Sequence, residues 1–488
     1  MNYSLIRNIL GKIMILTALL MSISLVFCVI YKETLINYLS FLIPIGLLLL
    51  FGWLFNLKKA KNLKILAREG FIIVGLTWLI IALFGCLPFI ISGEIPNFFD
   101  AFFEIVSGFT TTGASILTGE QAEGLSHSIK FWRTFSHWIG GMGVLVFILA
   151  LIPESKDGSA VHILRAESPG PQVGKLVSKM QATSRILYLI YLGMTVIEFL
   201  LLWLGPDKNM DAFSSLIYSL GTAGTGGFAI HAAGLGIFTP YSQYVISIFM
   251  LLFGVNFTLY YFLLIGNFKD VFKNEELRWY ICIVISAVLL IFISIIPTIK
   301  NVEEAFRLSL FQVGSIISTT GYSTCDYDLW PSLAKGVILI IMFFGACAGS
   351  TSGGMKMSRV ILLIKSSLRK IKNMVNPRKV EVITFDGKLV NDDTIEGIQS
   401  FFIVYCLIFV ACALIISIDN HSMLTNITAS LACISNIGPG LDVVGPAGNF
   451  SSFSSFSKLV LSLEMIAGRL ELFPLLILFN PKTWKKTI

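Results

Sequence analysis

Asp100-Ala-Phe-Phe-Glu-Ile-Val-Ser-Gly-Phe-Thr-Thr-Thr-Gly-Ala-Ser115 begins apolar and ends in a burst of small hydroxylated residues around one glycine. Its apolar part, Phe98 to Phe109, is about half the roughly 20 residues a membrane-spanning helix needs. It reads as a half-helix that enters the membrane and returns as non-helical backbone. The same unit recurs three times. Met210 to Ala223 precedes Gly224-Thr-Gly-Gly-Phe-Ala229, Glu304 to Ile317 precedes Ser318-Thr-Thr-Gly-Tyr-Ser323, and Met423 to Ile434 precedes Ser435-Asn-Ile-Gly-Pro-Gly440. Glycines 113, 227, 321 and 438 return about every 95–117 residues, the mark of an internal repeat.

The rest of the chain supplies the membrane that such half-helices require. Of 488 residues, 55% are hydrophobic and 13% charged. Mean hydropathy is +0.81. A soluble domain carries about 25% charged residues, so most of this surface does not face water. Ten apolar runs are long enough to span, at roughly 9–31, 38–57, 70–93, 130–153, 184–204, 241–267, 279–299, 333–363, 399–418 and 456–479. The first follows Arg7 and Lys12 but outlasts a signal-peptide core, so it reads as a retained anchor.

Net charge is +7. The basic residues gather in the loops 57–69, 154–185, 268–278 and 364–398 and in the tail, while the alternate loops carry Asp207, Asp211, Glu303, Glu304, Asp326, Asp328 and Asp419. That alternation places both termini in the cytoplasm by the positive-inside rule and argues against nucleic acid as a partner. The eight cysteines form no CxxC pair and read as small buried hydrophobes. No Walker motif, GxGxxG after a strand, HExxH or catalytic cluster occurs, so the chain does not read as an enzyme.

The expected architecture is all-α: four helix–pore loop–helix units around a pseudo-fourfold pore, with two leading helices, as in a potassium channel. Its divisions are 1–69 (leading pair), 70–153, 154–268, 269–364 and 365–488. Four non-helical strands around one axis offer rings of carbonyl oxygens, which can replace the hydration shell of a potassium ion. Thr111, Thr112, Gly113, Thr225, Gly226, Gly227, Thr319, Thr320, Gly321, Asn436, Ile437 and Gly438 are the residues expected to line it. In the second unit Gly224, Gly226 and Gly227 are all available, and Gly227 is preferred because Gly-Phe there matches Gly-Tyr in the third unit.

The eighth run holds ten small residues in a row, Gly345-Ala-Cys-Ala-Gly-Ser-Thr-Ser-Gly-Gly354. These break a helix, and Gly345, Gly349, Ser350, Thr351, Ser352, Gly353 and Gly354 read as a flexible loop obstructing the pore below the filter. Arg469 lies inside the last run, where a charge is costly and functional by default. It reads as a functional group, or as a snorkelling charge or a structural partner of Glu464 or Glu471. Lys356 and Arg359 read as anchors at the cytoplasmic helix end. Glu104 and Gln312 read as filter scaffold, Arg133 and His137 as hydrogen-bonding groups rather than metal ligands, and His231 as lacking ligand partners.

Asp100 to Ser115 resembles the first pore loop of the Trk/Ktr/HKT superfamily of potassium transporters. Trp138-Ile-Gly-Gly-Met-Gly143, Ala348-Gly-Ser-Thr-Ser-Gly-Gly354 and Asn436-Ile-Gly-Pro-Gly440 also resemble that superfamily. The likeness covers nearly everything after residue 70, and the leading pair and length resemble its bacterial Trk branch. It implies potassium as the transported ion with no organic cofactor, an inner-membrane homodimer, and control by a cytosolic nucleotide-binding ring protein of the TrkA type; the basic stretch Lys365 to Lys379 would contact membrane lipid or that ring. It also implies an intramembrane gating loop at 345–354, with Arg469 at the gate below the filter, and that glycine rather than serine at Gly113 favours potassium over sodium. Asn436-Ile437 departs from the threonine-rich pattern of the other loops. The alternatives are a symporter coupling potassium to protons or sodium, or a less selective permease of the same fold. All four units leave and return to the same side, which favours a pore over inverted repeats that rock.

Overall fold

The computed structural model describes residues 1–58, 67–143, 180–379 and 381–484. Residues 144–153 of the fourth expected span, most of the loops 57–69 and 154–185, and Lys485 and Lys486 lie outside the described residues.

The chain is built of helices, with one two-residue hairpin, Thr384–Phe385 against Lys388–Leu389. The leading pair comprises α1 (Tyr3–Ser22), α2 (Ser24–Ile30) and α3 (Leu35–Asn56). The first unit follows: α4 (Ala67–Gly85), α5 (Leu87–Ser92), the half-helix α6 (Phe98–Phe109) and α7 (His127–Gly141). The second has α8 (Met180–Trp203), half-helix α9 (Ala212–Gly224), α10 (Pro240–Phe253) and α11 (Phe257–Leu264). The third has α12 (Glu275–Ile299), half-helix α13 (Val302–Ile317), α14 (Ser332–Met342) and α15 (Met357–Val375). The fourth has α16 (Asp392–Ile416), half-helix α17 (Met423–Ile434), α18 (Ser455–Arg469) and α19 (Phe473–Phe479).

Each half-helix starts on a side-chain cap, because its first amides have no intrahelical partner. Asn97 accepts from Phe99, Asp211 from Ser214, Asn301 from Glu303 and Ser422 from Thr425. Every residue of α6 from Ala101 to Phe109 is buried. The outer helices turn apolar side chains such as Leu189, Ile197, Ile293 and Leu407 outward, as a lipid-facing surface does.

Among the described residues six helical segments are long and apolar enough to cross a membrane: Tyr3–Ile30, Leu35–Asn56, Arg68–Ser92, Thr183–Trp203, Glu275–Ile299 and Asp392–Asp419. These are the leading helices and the first helix of each unit. The second helices correct the expectation of unbroken spans. The sixth run bends by 95° between α10 and α11. The eighth stops at Met342 and resumes at Met357. The tenth breaks between Arg469 and Phe473, with Glu471 at φ 54° and Leu472 at φ 68°. The helix of the fourth run ends at Gly141. Only the eighth break was legible as a glycine-rich loop.

The leading pair is clamped to the four units at both ends. Glu33, between α2 and α3, accepts the amide and hydroxyl of Ser128 at 3.0 and 2.5 Å, capping α7. Tyr31 stacks on His127 at 3.7 Å. At the opposite end the Asn2 amide donates to Glu69 at 2.6 Å and the Tyr3 hydroxyl to the Trp484 carbonyl at 3.0 Å, which brings both chain ends to one face.

Candidate permeation site

The four half-helices end in one shared turn. The amides of Thr111 and Thr112 donate back to the Gly108 and Ser107 carbonyls at 3.1 and 2.9 Å. Thr225 and Gly226 donate to Thr222 and Gly221, Thr319 and Thr320 to Ile316 and Ser315, and Asn436 and Ile437 to Cys433 and Ala432, all between 2.8 and 3.2 Å. The first residue of each turn is left-handed, with φ of 58°, 53°, 59° and 53° at Thr111, Thr225, Thr319 and Asn436. Such a φ is unfavourable for threonine and persists only where the surroundings enforce it. A glycine stands two residues later each time, which puts Gly227 rather than Gly226 in register with Gly113, Gly321 and Gly438. The latter three are themselves left-handed, at 78°, 85° and 98°; Gly227 is not.

The turn spends the amides and leaves the carbonyls. Among the described residues, no hydrogen bond is made to the carbonyl oxygens of 111–113, 225–227, 319–321 or 436–438, three in each of four strands. Unbonded carbonyls at membrane depth are tolerated only where they face an aqueous cavity.

The strands close on one another in chain order. A Cβ added to Gly113 comes within 2.6 Å of the Gly227 amide nitrogen, and one on Gly227 within 2.6 Å of the Gly321 carbonyl carbon. A Cβ on Gly321 collides with the Ile437 carbonyl and lies 2.9 Å from Pro439, and one on Gly438 lies 2.7 Å from the Thr112 oxygen. The contacts run 113–227–321–438–113. A cavity of about 330 Å³ opens onto these four glycines and is bordered by Asp326, His231 and Asn449.

Behind the ring, buried polar side chains fix the scaffold. Glu104 accepts from Arg133 Nε at 2.6 Å, from the Ser115 hydroxyl at 2.9 Å and from the Ile116 amide at 2.9 Å. Arg133 continues to the Ala229 carbonyl at 3.0 Å and lies 3.7 Å from the centre of the Phe228 ring. It thereby ties the first unit to the second. Gln312, at the matching place in the third unit, reaches Thr324 at 3.5 Å.

Below the ring lies the loop 345–356. Its neck is tied by the Gly345 amide to the Met355 carbonyl at 2.7 Å and the Met357 amide to Ala346 at 3.1 Å. Its tip touches the filter turns: the Thr225 hydroxyl donates to the Thr351 carbonyl at 3.0 Å, and the Gly353 amide donates to the Thr319 hydroxyl at 2.7 Å. Arg469 donates to the Thr351 carbonyl at 2.9 Å, to Gly141 at 2.6 Å and to Gly140. One guanidinium thus joins the loop to the end of α7.

A family model described as TrkH, cation transport protein, matches residues 40–486. The chain belongs to the TrkH family. It is similar to the Trk system potassium uptake protein TrkH of Escherichia coli K12, 38% identical over 448 residues and 89% of each chain. It is also similar to the TrkH of Halomonas elongata, 29% identical over the full length of both. The crystal structure of the potassium transporter TrkH from Vibrio parahaemolyticus superposes with a TM-score of 0.88 at 31% identity, covering 99% of this chain and 100% of that one.

Within this TrkH-family fold, some polar residues sit elsewhere than expected. Lys356 and Arg359 are not end anchors in contact with water; both are buried. Lys356 donates to the Ser352 carbonyl, and Arg359 pairs with Glu471 while lying over Phe401 at 4.2 Å. Glu471 is therefore committed to Arg359 rather than to Arg469, and Glu464 accepts from the Ser430 hydroxyl at 2.6 Å. His137 donates from Nδ1 to the Gly108 carbonyl at 2.8 Å, inside the scaffold. His231 stands 4.0 Å from Glu123 at the cavity border. Among the described residues no group of three or more His, Cys, Asp or Glu side chains could hold a metal.

Sequence reasoning missed the platform under the loop. Glu276 Oε1 accepts the amides of Ala348 and Ser358, each at 2.8 Å, so one carboxylate holds both roots of the loop. The bend between α10 and α11 supplies further partners. The Cys347 amide donates to Gly254 at 3.0 Å, the Phe257 amide to Gly349 at 3.0 Å, and the Thr351 hydroxyl to Phe253 at 3.2 Å. Glu276 follows Asn274 and Glu275 and looks from sequence like an ordinary acidic first turn of a helix.

Proposed function

We propose that this chain takes up potassium across the bacterial inner membrane through a gated, channel-like filter. The closed ring of Gly113, Gly227, Gly321 and Gly438, each beside unbonded carbonyls, carries the reading. Carbonyl oxygens held at fixed spacing substitute for water around a weakly hydrated cation. The loop 345–354 with Arg469 is the gate. The relatives' names, potassium uptake proteins and a potassium transporter, support the choice of cation.

The gate side faces the cytoplasm in this proposal. Both chain ends and the basic segments 268–278 and 364–379 belong to that side, and Asp207, Asp211, Asp326 and Asp419 to the mouth side, as the positive-inside rule requires. A homodimer and a cytosolic nucleotide-binding ring protein complete the assembly by family resemblance.

The test is potassium uptake in a bacterial strain lacking its own systems, followed by single-channel recording of the purified chain. Uptake with unitary currents beyond the rate of any rocking carrier is expected. Gly113→Ser should cut potassium-over-sodium discrimination about tenfold, roughly 1.4 kcal/mol. Uptake without resolvable unitary currents, or unchanged discrimination in a folded Gly113→Ser protein, would refute the channel-like filter.

A further inference from the structure

We infer that a permeating cation and the gating loop compete for the same oxygens at the floor of the filter, so that potassium arriving from the loop side favours opening. This rests on the filter and gate reading above. The floor is the ring of left-handed residues Thr111, Thr225, Thr319 and Asn436, all fully buried. The loop makes its hydrogen bonds to this floor in the second and third units. There the Thr319 hydroxyl accepts the Gly353 amide at 2.7 Å and the Thr225 hydroxyl donates to the Thr351 carbonyl at 3.0 Å. In the first and fourth units, Thr111 Oγ1 and Asn436 Oδ1 are buried and have no hydrogen-bond partner. Asn436 is oriented by its own amide nitrogen, which donates to the Thr112 hydroxyl at 3.0 Å and the Met465 carbonyl at 2.9 Å. Its oxygen is therefore held in place without being used.

These are four oxygen-bearing side chains, one from each unit, at the same position of the shared turn. A dehydrated monovalent cation needs such oxygens from all sides. With the loop in place, the lone pair of Thr319 meets an amide N–H, whose partial positive charge repels a cation at the same oxygen. The loop also crowds the site: a Cβ on Gly353 would come within 2.6 Å of the Asn436 Cβ and 2.8 Å of the Ser435 carbonyl. Cation coordination by all four side chains and loop docking therefore oppose one another. A ligand that binds one of two states shifts the equilibrium by its differential affinity alone.

The experiment is single-channel recording of the full chain in bilayers, with potassium on the loop side varied against N-methylglucamine at constant ionic strength. Open probability should rise about tenfold across a roughly hundredfold rise in potassium. Thr225→Val with Thr319→Val should raise basal opening and flatten the potassium dependence, while Thr225→Ser with Thr319→Ser should restore both. An open probability independent of potassium overturns the inference. So does a valine double variant that opens more readily yet keeps the full potassium dependence, since the hydroxyls then only hold the loop. A variant lacking Ser350 to Gly354 separates the two readings: if it stays closed, the loop is not the gate; if it conducts constantly without potassium dependence, the gate stands and the competition is judged on the threonine variants.

Discussion

Arg469 shows how much a single side chain does in a medium without water. Its guanidinium bonds carbonyls at Gly140 and Gly141, at the end of α7, and at Thr351, in the loop 345–356. A hydrogen bond to a charged group contributes about 1.5–3 kcal/mol. Losing the one to Thr351 should shift the closed–open equilibrium by roughly tenfold to a hundredfold. Arg469→Ala is therefore expected to raise potassium conductance, and a folded variant with normal flux in proteoliposomes would remove Arg469 from the gate. The glycines make the converse point: their contribution is the absence of a side chain. At Gly321 any Cβ collides with the Ile437 carbonyl, so the spacing of the ring depends on that missing atom.

At the scale of elements, the second helices carry the design. An unbroken helix leads straight through the membrane. Here α10 bends, α14 stops and α18 breaks beneath the ring of glycines, and the freed backbone groups of the α10–α11 bend bond the loop 345–356. Glu276, at the start of α12, holds both roots of that loop, so the loop moves between fixed points instead of swinging free. Removing the carboxylate leaves two buried amides unsatisfied, at about 1–3 kcal/mol each. Glu276→Ala should raise open probability severalfold at unchanged unitary conductance. Glu276→Gln, which keeps an acceptor oxygen, should behave close to the parent in the same recordings. A changed unitary conductance in the alanine variant would instead point to a filter defect.

At the scale of the whole molecule, four similar units form a ring that only mutual contact closes, and the leading pair braces it. Glu33 connects the two parts. Burial opposes its ionisation, but the Ser128 hydroxyl and amide and the Asn37 amide outweigh burial, and the carboxyl titrates below its ordinary value. A carboxyl lowered in the folded state stabilises above its ordinary value, about 4.3, and that contribution fades as pH falls through the folded value. Thermal unfolding in detergent should show the brace weakening on acidification below about pH 4. Glu33→Gln should lower the melting temperature at neutral pH and flatten that acid limb. An identical acid limb in both proteins would exclude Glu33 as its source.

The sequence alone determined the membrane class, the four-fold recurrence and three of the four glycines, with Gly227 only preferred in the second unit, because short apolar runs ending in Thr-Gly or Asn-Ile-Gly break a local rule four times over. It also determined the loop at 345–354, because ten consecutive small residues cannot sustain a spanning helix. Only the tertiary structure decided that Gly227 is the second unit's glycine, that Arg359 rather than Arg469 holds Glu471, and that Glu276 roots the loop. The break at Leu470–Leu472 carries no glycine or proline of its own. Those outcomes depend on which distant groups meet, and hydrophobic patterning reports only how each segment faces its surroundings. A buried carbonyl or carboxylate takes its partner from wherever the packed helices bring one.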